Sequence, residues 1–274
     1  MVPFSVCMAV YGGDLPEHFI SAVKSIYHYQ SLKPNEIIVV VDGPIPDKME
    51  VALNHLKIEI GQALNIIRLK INQGHAIARQ TGIAAAQNEI IALMDADDIS
   101  LSDRFEKQIH FIANHPEVVV VGGQIAEFID CQTNIVSRRI VPCNHNGILK
   151  MLKGRCPFNQ MSITMRRSYV NEVGGYKDWY CDEDYYLWIR MAIAGFRFAN
   201  LPDTLVNVRV GKEMYQRRGG WQYFRSEAKL QTYMFKHQLI GFPRYIFNVS
   251  VRFVIQVALP NSIRGYVFQK LFRK

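Results

Sequence analysis

Acidic residues are missing from the end of this 274-residue chain: all 24 Asp and Glu lie before residue 228, whereas eight of the 32 Lys and Arg follow it. The formal net charge of +8 is therefore carried by the C-terminal region. Cysteine is scarce and scattered. Cys7, Cys131, Cys143, Cys156 and Cys181 form no CxxC pair and have no histidine at zinc-ligand spacing, which excludes a zinc ribbon and leaves reduced structural thiols, the state expected in the cytosol. No run of 18 or more uncharged apolar residues occurs, so no membrane-spanning helix is expected. The N-terminal "MVPFSVCMAVYGGD" has no basic segment and only a short apolar stretch, and it reads as a first core strand rather than a signal peptide. Two phosphate-binding signatures are also absent. Without GxGxxG after a strand, and without GxxxxGK[ST], dinucleotide oxidoreductases and P-loop enzymes are disfavoured.

What is present is ordinary globular material, 49% hydrophobic and 20% charged, long enough for one large domain with an appendage. Up to about residue 122, short β-rich runs alternate with longer stretches whose apolar residues recur every three or four positions. The runs "FSVCMAV", "EIIVVVD", "LNIIRLK", "EIIALMD" and "VVVVGG" predict strands, nearly all apolar and so buried on both faces. The segments "PEHFISAVKSIYHY", "DKMEVALNHLKIEI", "HAIARQTGIAAAQ" and "SDRFEKQIHFIANH" predict the helices between them. This alternation predicts an α/β fold with a mostly parallel, Rossmann-like sheet flanked by helices. Beyond residue 122, "GGQIAEFIDCQTNIVSRRIVP" predicts antiparallel strands, "NGILKMLKG" a helix, and "MSITMRR" a further strand.

Ligands of such sheets bind beyond the carboxyl ends of the strands, and there the polar residues collect: Tyr11 and Asp14, Asp42, Asn72, then Asp95 and Asp97. The stretch "IIALMDADDIS" places Asp95, Asp97 and Asp98 within four positions at the end of an apolar strand. Carboxylates about 4 Å apart repel by roughly 4 kcal/mol at an effective dielectric of 20, so a positive partner is required. The cluster fits either a surface turn with an Asp capping the next helix, or a site for a hard divalent cation that shares oxygen ligands with a substrate phosphate. A second acidic group, Asp182, Glu183 and Asp184, opens a helix in "GGYKDWYCDEDYYLWIRM". Helix capping accounts for it, and so does a carboxylate serving as a general base.

Five segments in order, "SVCMAVYGGD", "IIVVVDG", "NQGHAIARQTGI", "ALMDADDIS" with "DRFEKQ", and "GGYKDWYCDEDYYLWIRM", resemble the family-2 glycosyltransferases, over roughly residues 4–210. The resemblance implies the GT-A fold in residues 1–220, with a nucleotide-sugar-binding half (1–122) and an acceptor half (123–220). It implies that Ala9, Tyr11 and Asp42 hold the uridine end of a nucleotide-sugar donor, with Asn72 and Arg79 near the nucleotide-binding loop and Asp95 near the ribose or sugar. Asp97 would ligate Mn²⁺ or Mg²⁺. Asp184 would be the catalytic base, with Glu183 beside it, and the reaction would invert the anomeric centre.

Gly12 stands where many members of the family have Asn. The Gln-x-x-Arg-Trp element of processive synthases is replaced by "VRVGKEMYQRRGGW", which implies transfer of one sugar, with Arg209, Lys212, Arg217 and Arg218 either reaching phosphates or forming a solvated basic loop. The expected role is in building a bacterial-type surface polysaccharide (O-antigen, capsule or exopolysaccharide) on a lipid-linked, polyprenyl-diphosphate saccharide acceptor. The competing readings are a nucleotidyltransferase with a similar metal site and a non-catalytic membrane-bound partner.

Residues 221–274 are expected to be helical. Their basic residues interleave with aromatics, as in "FPRYIFNVSVRFVIQVALPNSIRGYVFQKLFRK", without any nucleic-acid-binding motif. They suit either a terminal helix pair packed on the domain or an interfacial helix on an anionic leaflet, which would place the protein on the cytoplasmic side of the cell membrane.

Overall fold

The computed structural model describes residues 2–211 and 219–259. Its strands and helices alternate through the first half as the apolar periodicity predicts: β1 (Phe4–Tyr11), α1 (Pro16–Tyr27), β2 (Glu36–Asp42), α2 (Asp47–Ile60), β3 (Leu64–Leu69), α3 (His75–Ala85), β4 (Ile90–Met94), the short β5 (Ile99–Ser100) and α4 (Arg104–Asn114). The second half adds β6 (Val118–Phe128), β7 (Ile135–Arg139), α5 (His145–Leu152), β8 (Thr164–Arg166), α6 (Arg167–Glu172), α7 (Glu183–Ile193) and β9 (Arg197–Arg209), followed by α8 (Trp221–Lys236) and α9 (Phe242–Phe253).

One sheet holds all these strands, in the order β3-β2-β1-β4-β8-β6-β9-β5, with β7 paired to β6. The β3-β2-β1-β4 part is parallel throughout. The strand predicted at "VVVVGG" does not follow β4 directly. The three-residue β8 lies between them, antiparallel to both, and β6 runs on to Phe128 through the expected division at residue 122.

Alternation along the strands divides the core. In β1, Phe4, Val6, Met8 and Val10 face one layer with Phe19 and Val23 of α1, Leu53 of α2 and Phe105 of α4, while Cys7 faces the other. That second layer contains Ile83 of α3, Leu187 and Trp188 of α7, and Leu230 and Met234 of α8. In α1 the buried positions 19, 22, 23 and 26 form one stripe, and Pro16 occupies the first turn, where its missing N–H costs nothing. Burying each large aliphatic or aromatic side chain contributes roughly 1.5–3 kcal/mol, so the two layers hold the sheet edge in place from both faces. The five cysteines are free, as their spacing predicts.

One buried charge anchors the end of β4. Arg104, fully buried, donates to the carbonyl of Leu93 at 2.7 Å and, from Nε, to Gln108 Oε1 at 3.0 Å. Gln108 in turn donates to the carbonyls of Val121 and Ser162. Burial pulls the guanidinium down to about 9, against the attraction of Asp95 and Asp98. Replacing Arg104 by Ala leaves this network unsatisfied and should cost about 3 kcal/mol in urea denaturation. A loss below about 1 kcal/mol would show that water or repacking serves those carbonyls equally well.

Candidate functional site

Seven of the residues singled out from sequence line one cavity of about 910 Å³ at the carboxyl edge of the parallel strands: Ala9, Tyr11, Asp42, Asn72, Arg79, Asp95 and Asp97. The wall beside β2 is built by Asp42. Its carboxylate accepts the backbone N–H groups of Gln73 (2.7 Å) and Gly74 (2.9 Å), and Asn72 donates to its carbonyl at 3.3 Å. Gly43, at φ +86°, lets this turn close: a Cβ there would lie 2.5 Å from the backbone nitrogen of Asn72. Tyr11 is partly exposed, its ring folded over Gly13, and its backbone N–H donates to Asp14 at 2.9 Å.

Five aspartates line this cavity, Asp14, Asp42, Asp95, Asp97 and Asp130, and three of them, Asp14, Asp95 and Asp97, influence one another's charge. Burial, followed by Asp97 and Asp95, pushes Asp14 up to about 6, against the Tyr11 N–H. Burial, followed by Asp95, pushes Asp97 to about the same value, against the charge of Arg209. Asp98 does not cap the next helix. It is buried, its carboxyl is pushed well up by burial and by Asp97 and Asp95, and it accepts the backbone N–H of Arg209 at 2.9 Å, which latches the end of β9 to the acidic loop. The helix starts later, at Arg104, after Asp103.

The positive partner that the acidic stretch lacks comes from three places. Arg79 of α3 donates to Asp95 at 2.9 Å, Arg104 lies beneath, and Arg209 donates to the carbonyls of Asp97 (3.3 Å) and Asp130 (3.2 Å). Arg209, Asp130 and His18 line the same cavity. Sequence reasoning placed Asp14 at this edge without a role, and named Arg209 only as one of several basic residues. Neither Asp130 nor His18 carries a local signal. Lys212, Arg217 and Arg218 lie outside the described residues.

The other acidic group sits at the start of α7. Asp182 is buried and accepts from Ser226 of α8 at 3.3 Å, with no side-chain capping bond to α7. Glu183 lines neither large cavity; its carboxylate is held by Arg79 at 2.9 Å, so one guanidinium joins Glu183 to Asp95. Burial disfavours the charge on Arg79, but Asp95 and Glu183 outweigh it and raise its pKa above the ordinary value. The next residue of α3, Gln80, accepts the N–H of Tyr176 at 2.7 Å and thereby docks the Gly174–Gly175 turn. Gly175 has φ +64°, and a Cβ there would lie 2.1 Å from Gln80 Oε1.

Asp184 faces a second cavity, of about 720 Å³, walled by α5, the 154–156 loop, α8 and α9. Its Oδ1 accepts the N–H of Tyr185 at 2.6 Å, and Cys156 Sγ donates to its Oδ2 at 3.8 Å. Burial, then the neighbouring Glu183, pushes its carboxyl up to about 6, against Arg79 and Arg139. It combines partial access to a cavity with a pKa close to neutral, the properties of a general base.

The donor set of the first cavity fits a hard divalent cation, since it offers carboxylate oxygens whose mutual repulsion a cation would relieve. Among the described residues no three His, Cys, Asp or Glu side chains form a metal-binding group by themselves, so such an ion would need further ligands from a bound substrate.

The model of the family "Glycosyl transferase family 2" matches residues 5–174, and that of "Glycosyl transferase family group 2" matches residues 90–268. The amylovoran biosynthesis glycosyltransferase AmsE of Erwinia amylovora is 32% identical over 97% of this chain and 98% of its own length. A UDP-Gal:alpha-D-GlcNAc-diphosphoundecaprenol beta-1,3-galactosyltransferase of Escherichia coli is 31% identical over 99% of this chain and 97% of its own. Among solved structures, the mannosyltransferase PcManGT of Pyrobaculum calidifontis, in complex with GDP-Man and Mn²⁺, superimposes with a TM-score of 0.63 at 18% identity, covering 98% of this chain and 76% of that one.

Replacing Arg79 by Met leaves Asp95 and Glu183 facing each other without a cation and should lower stability by about 3 kcal/mol. Adding Asp95→Asn and Glu183→Gln should restore at least half of that loss in urea denaturation; no restoration would mean that Arg79 acts through its packing and not through the two carboxylates.

Proposed function

The chain belongs to glycosyl transferase family 2, and from that premise we propose that it moves one hexose from a UDP-sugar to a hydroxyl of a polyprenyl-diphosphate-linked saccharide, with inversion. The observation that carries this reading is the division of the acids. Asp95 and Asp97 line the cavity at the strand ends, Asp184 lines the cavity beyond it, and the Arg79–Glu183 pair stands between. The donor belongs in the first cavity, with its nucleoside end against Ala9, Tyr11 and the Asp42–Asn72 turn and its diphosphate near Asp97 and Arg209. The acceptor belongs in the second. The Escherichia coli relative, whose name gives UDP-Gal as donor, a diphosphoundecaprenol-linked acceptor and a beta-1,3 product, supports the substrate classes and the inversion, and AmsE supports a place in polysaccharide synthesis.

In the proposed reaction the acceptor oxygen bonds to the anomeric carbon as the bond from that carbon to the donor phosphate oxygen breaks. The electron pair leaves with the nucleoside diphosphate, and the hydroxyl proton passes to Asp184. Asp97 would hold Mn²⁺ or Mg²⁺ together with donor phosphate oxygens, and PcManGT, solved with Mn²⁺, supports such an ion. When bound, the ion supplies Lewis-acid neutralisation of the charge developing on the leaving diphosphate. Arg209 adds a cation on the same side, and Glu183, held by Arg79, fixes the first turn of α7 and so the direction of Asp184.

No helix among the described residues is long and apolar enough to cross a membrane. The membrane contact we propose is peripheral and lies on α9, whose Phe242 (59% exposed), Ile246 and Phe253 leave apolar surface in the open beside Arg244. The remaining basic residues of the tail, from Arg264 on, lie outside the described residues. Each basic residue near an anionic leaflet contributes about 1 kcal/mol, which suits the inner face of a cell membrane, where a lipid-linked acceptor would be met.

Three outcomes test the reading. A screen of UDP-Glc, UDP-Gal and UDP-GlcNAc with Mn²⁺ or Mg²⁺ against a synthetic lipid-diphosphate saccharide should yield one preferred donor and a product of inverted configuration by NMR. Asp184→Asn should reduce transfer at least a thousandfold with UDP affinity kept, whereas Asp97→Ala should weaken metal-dependent UDP binding; unimpaired transfer by Asp184→Asn would remove it as the base. A base acts only when deprotonated, and the proposed metal ligand Asp97 must also be ionised, so kcat/KM should fall at least tenfold per pH unit below about 6 and level off above it. Separately, Phe242→Ser/Ile246→Ser/Phe253→Ser should weaken co-sedimentation with phosphatidylglycerol vesicles at least tenfold, and undiminished binding would relocate the membrane contact.

A further inference from the structure

The cavity that Asp184 lines is built for more than a sugar. Its far wall is α9, and that helix is fastened to the end of α5 by polar side chains. Asn248 donates to the carbonyl of Lys153 at 2.8 Å and to Gln231 at 2.7 Å. Arg252 donates to the carbonyl of Gly154 at 2.6 Å and pairs with Glu227 of α8 at 3.0 Å. Arg139, on the opposite side, donates to the carbonyls of Cys156 and Phe158. These cations are thus committed to holding the walls.

Two others are not. Lys150 on α5 and Arg244 on α9 line the cavity and are exposed, and among the described residues neither has an ion pair. They face it from different walls, and Arg244 reaches across to the α5 side: its Nη2 lies 3.4 Å from where a Cβ on Gly154 would stand. Two cations without carboxylate partners, on separate walls of one cleft, are complementary to a ligand with more than one negative charge. Beside Arg244, Phe247 and Val251 also line the cavity, and both are exposed. The cavity therefore grades from the acids Asp182 and Asp184, with Glu227 paired to Arg252, through Lys150 and Arg244 to an apolar rim on α9.

We propose that Lys150 and Arg244 bind the diphosphate of the lipid-linked acceptor, with its saccharide toward Asp184 and its prenyl chain leaving over Phe247 and Val251. The inference rests on the transferase reading given above and assigns the acceptor's charged group to two residues outside the five segments that carry the family resemblance. It also gives α9 a second task, since the helix would hold both the membrane and the substrate drawn from it.

Binding of farnesyl diphosphate to the full-length protein, measured by calorimetry with UDP and Mg²⁺ in excess to fill the donor cavity, tests the assignment. A single site is expected, at least tenfold weaker for farnesol and for inorganic pyrophosphate, which separates a lipid diphosphate from a bare phosphate ligand. Lys150→Ala/Arg244→Ala should weaken farnesyl diphosphate at least tenfold while UDP affinity stays within twofold, the latter reporting an intact fold. Absent binding, unchanged affinity in the double variant, or displacement of farnesyl diphosphate by UDP would overturn the proposal. Transfer from UDP-sugars to an alkyl glycoside, which carries no diphosphate, is followed in parallel. If the wild-type protein consumes no donor with any acceptor, the transferase reading fails, while the titration still decides whether this cavity binds a lipid diphosphate.

Discussion

The guanidinium of Arg79 is shared between Asp95, 16 residues further along the chain, and Glu183, 104 residues further along. At an effective dielectric of 20 each of these contacts contributes up to about 4 kcal/mol of Coulomb attraction, much of it offset by the desolvation of three charges. The net gain in stability is therefore modest, and the consequence is geometric. Removing the cation would leave two carboxylates without their shared partner, so Arg79 ties the end of β4 to the start of α7 beside the apolar packing of Leu187 and Trp188. Gln80, one residue on, docks the glycine turn that leads into α7. Two adjacent side chains of α3 thus position the whole 175–184 segment against the sheet edge.

This explains why the first half of the chain is so readable. Its strands are buried on both faces and its helices on one, so apolar periodicity is nearly sufficient: "DKMEVALNHLKIEI" is α2 residue for residue. The cavity residues were legible for a related reason. Parallel strands of similar length end at one edge, so Tyr11, Asp42, Asn72 and Asp95 had to meet there, and only Ala9 and Arg79 needed the resemblance to join them.

What was not legible depends on contacts between distant segments. The position of β8 between β4 and β6 follows from pairing, which three residues cannot announce. Asp98 resembles a cap in sequence, because an acid before a helix usually is one, yet its partner is the backbone of Arg209, 111 residues away. Glu183 was read beside Asp184 as part of one catalytic group, and only the tertiary structure separates them, giving the first to Arg79 and leaving the second on a cavity. That cavity itself has walls from α5, α7, α8 and α9, and no single stretch of sequence contains enough of it to suggest its shape.

The separation of Glu183 from Asp184 bears on the proposed chemistry. An arginine bonded directly to Asp184 would favour its charged form and make it a poorer base near neutral pH. Arg79 stands within electrostatic reach of Asp184 but spends its bonds on Asp95 and Glu183, so burial and the Glu183 charge still hold Asp184 at about 6. Had Asp184 taken that bond, the same cation would have fixed the segment equally well and weakened the proposed base. Placing the ion pair one residue earlier supplies the rigidity of a salt bridge without its effect on basicity. The same spacing turns successive side chains of α7 toward different partners, Arg79 for Glu183 and the second cavity for Asp184, so the register of one helical turn sets both the anchor and the candidate proton acceptor.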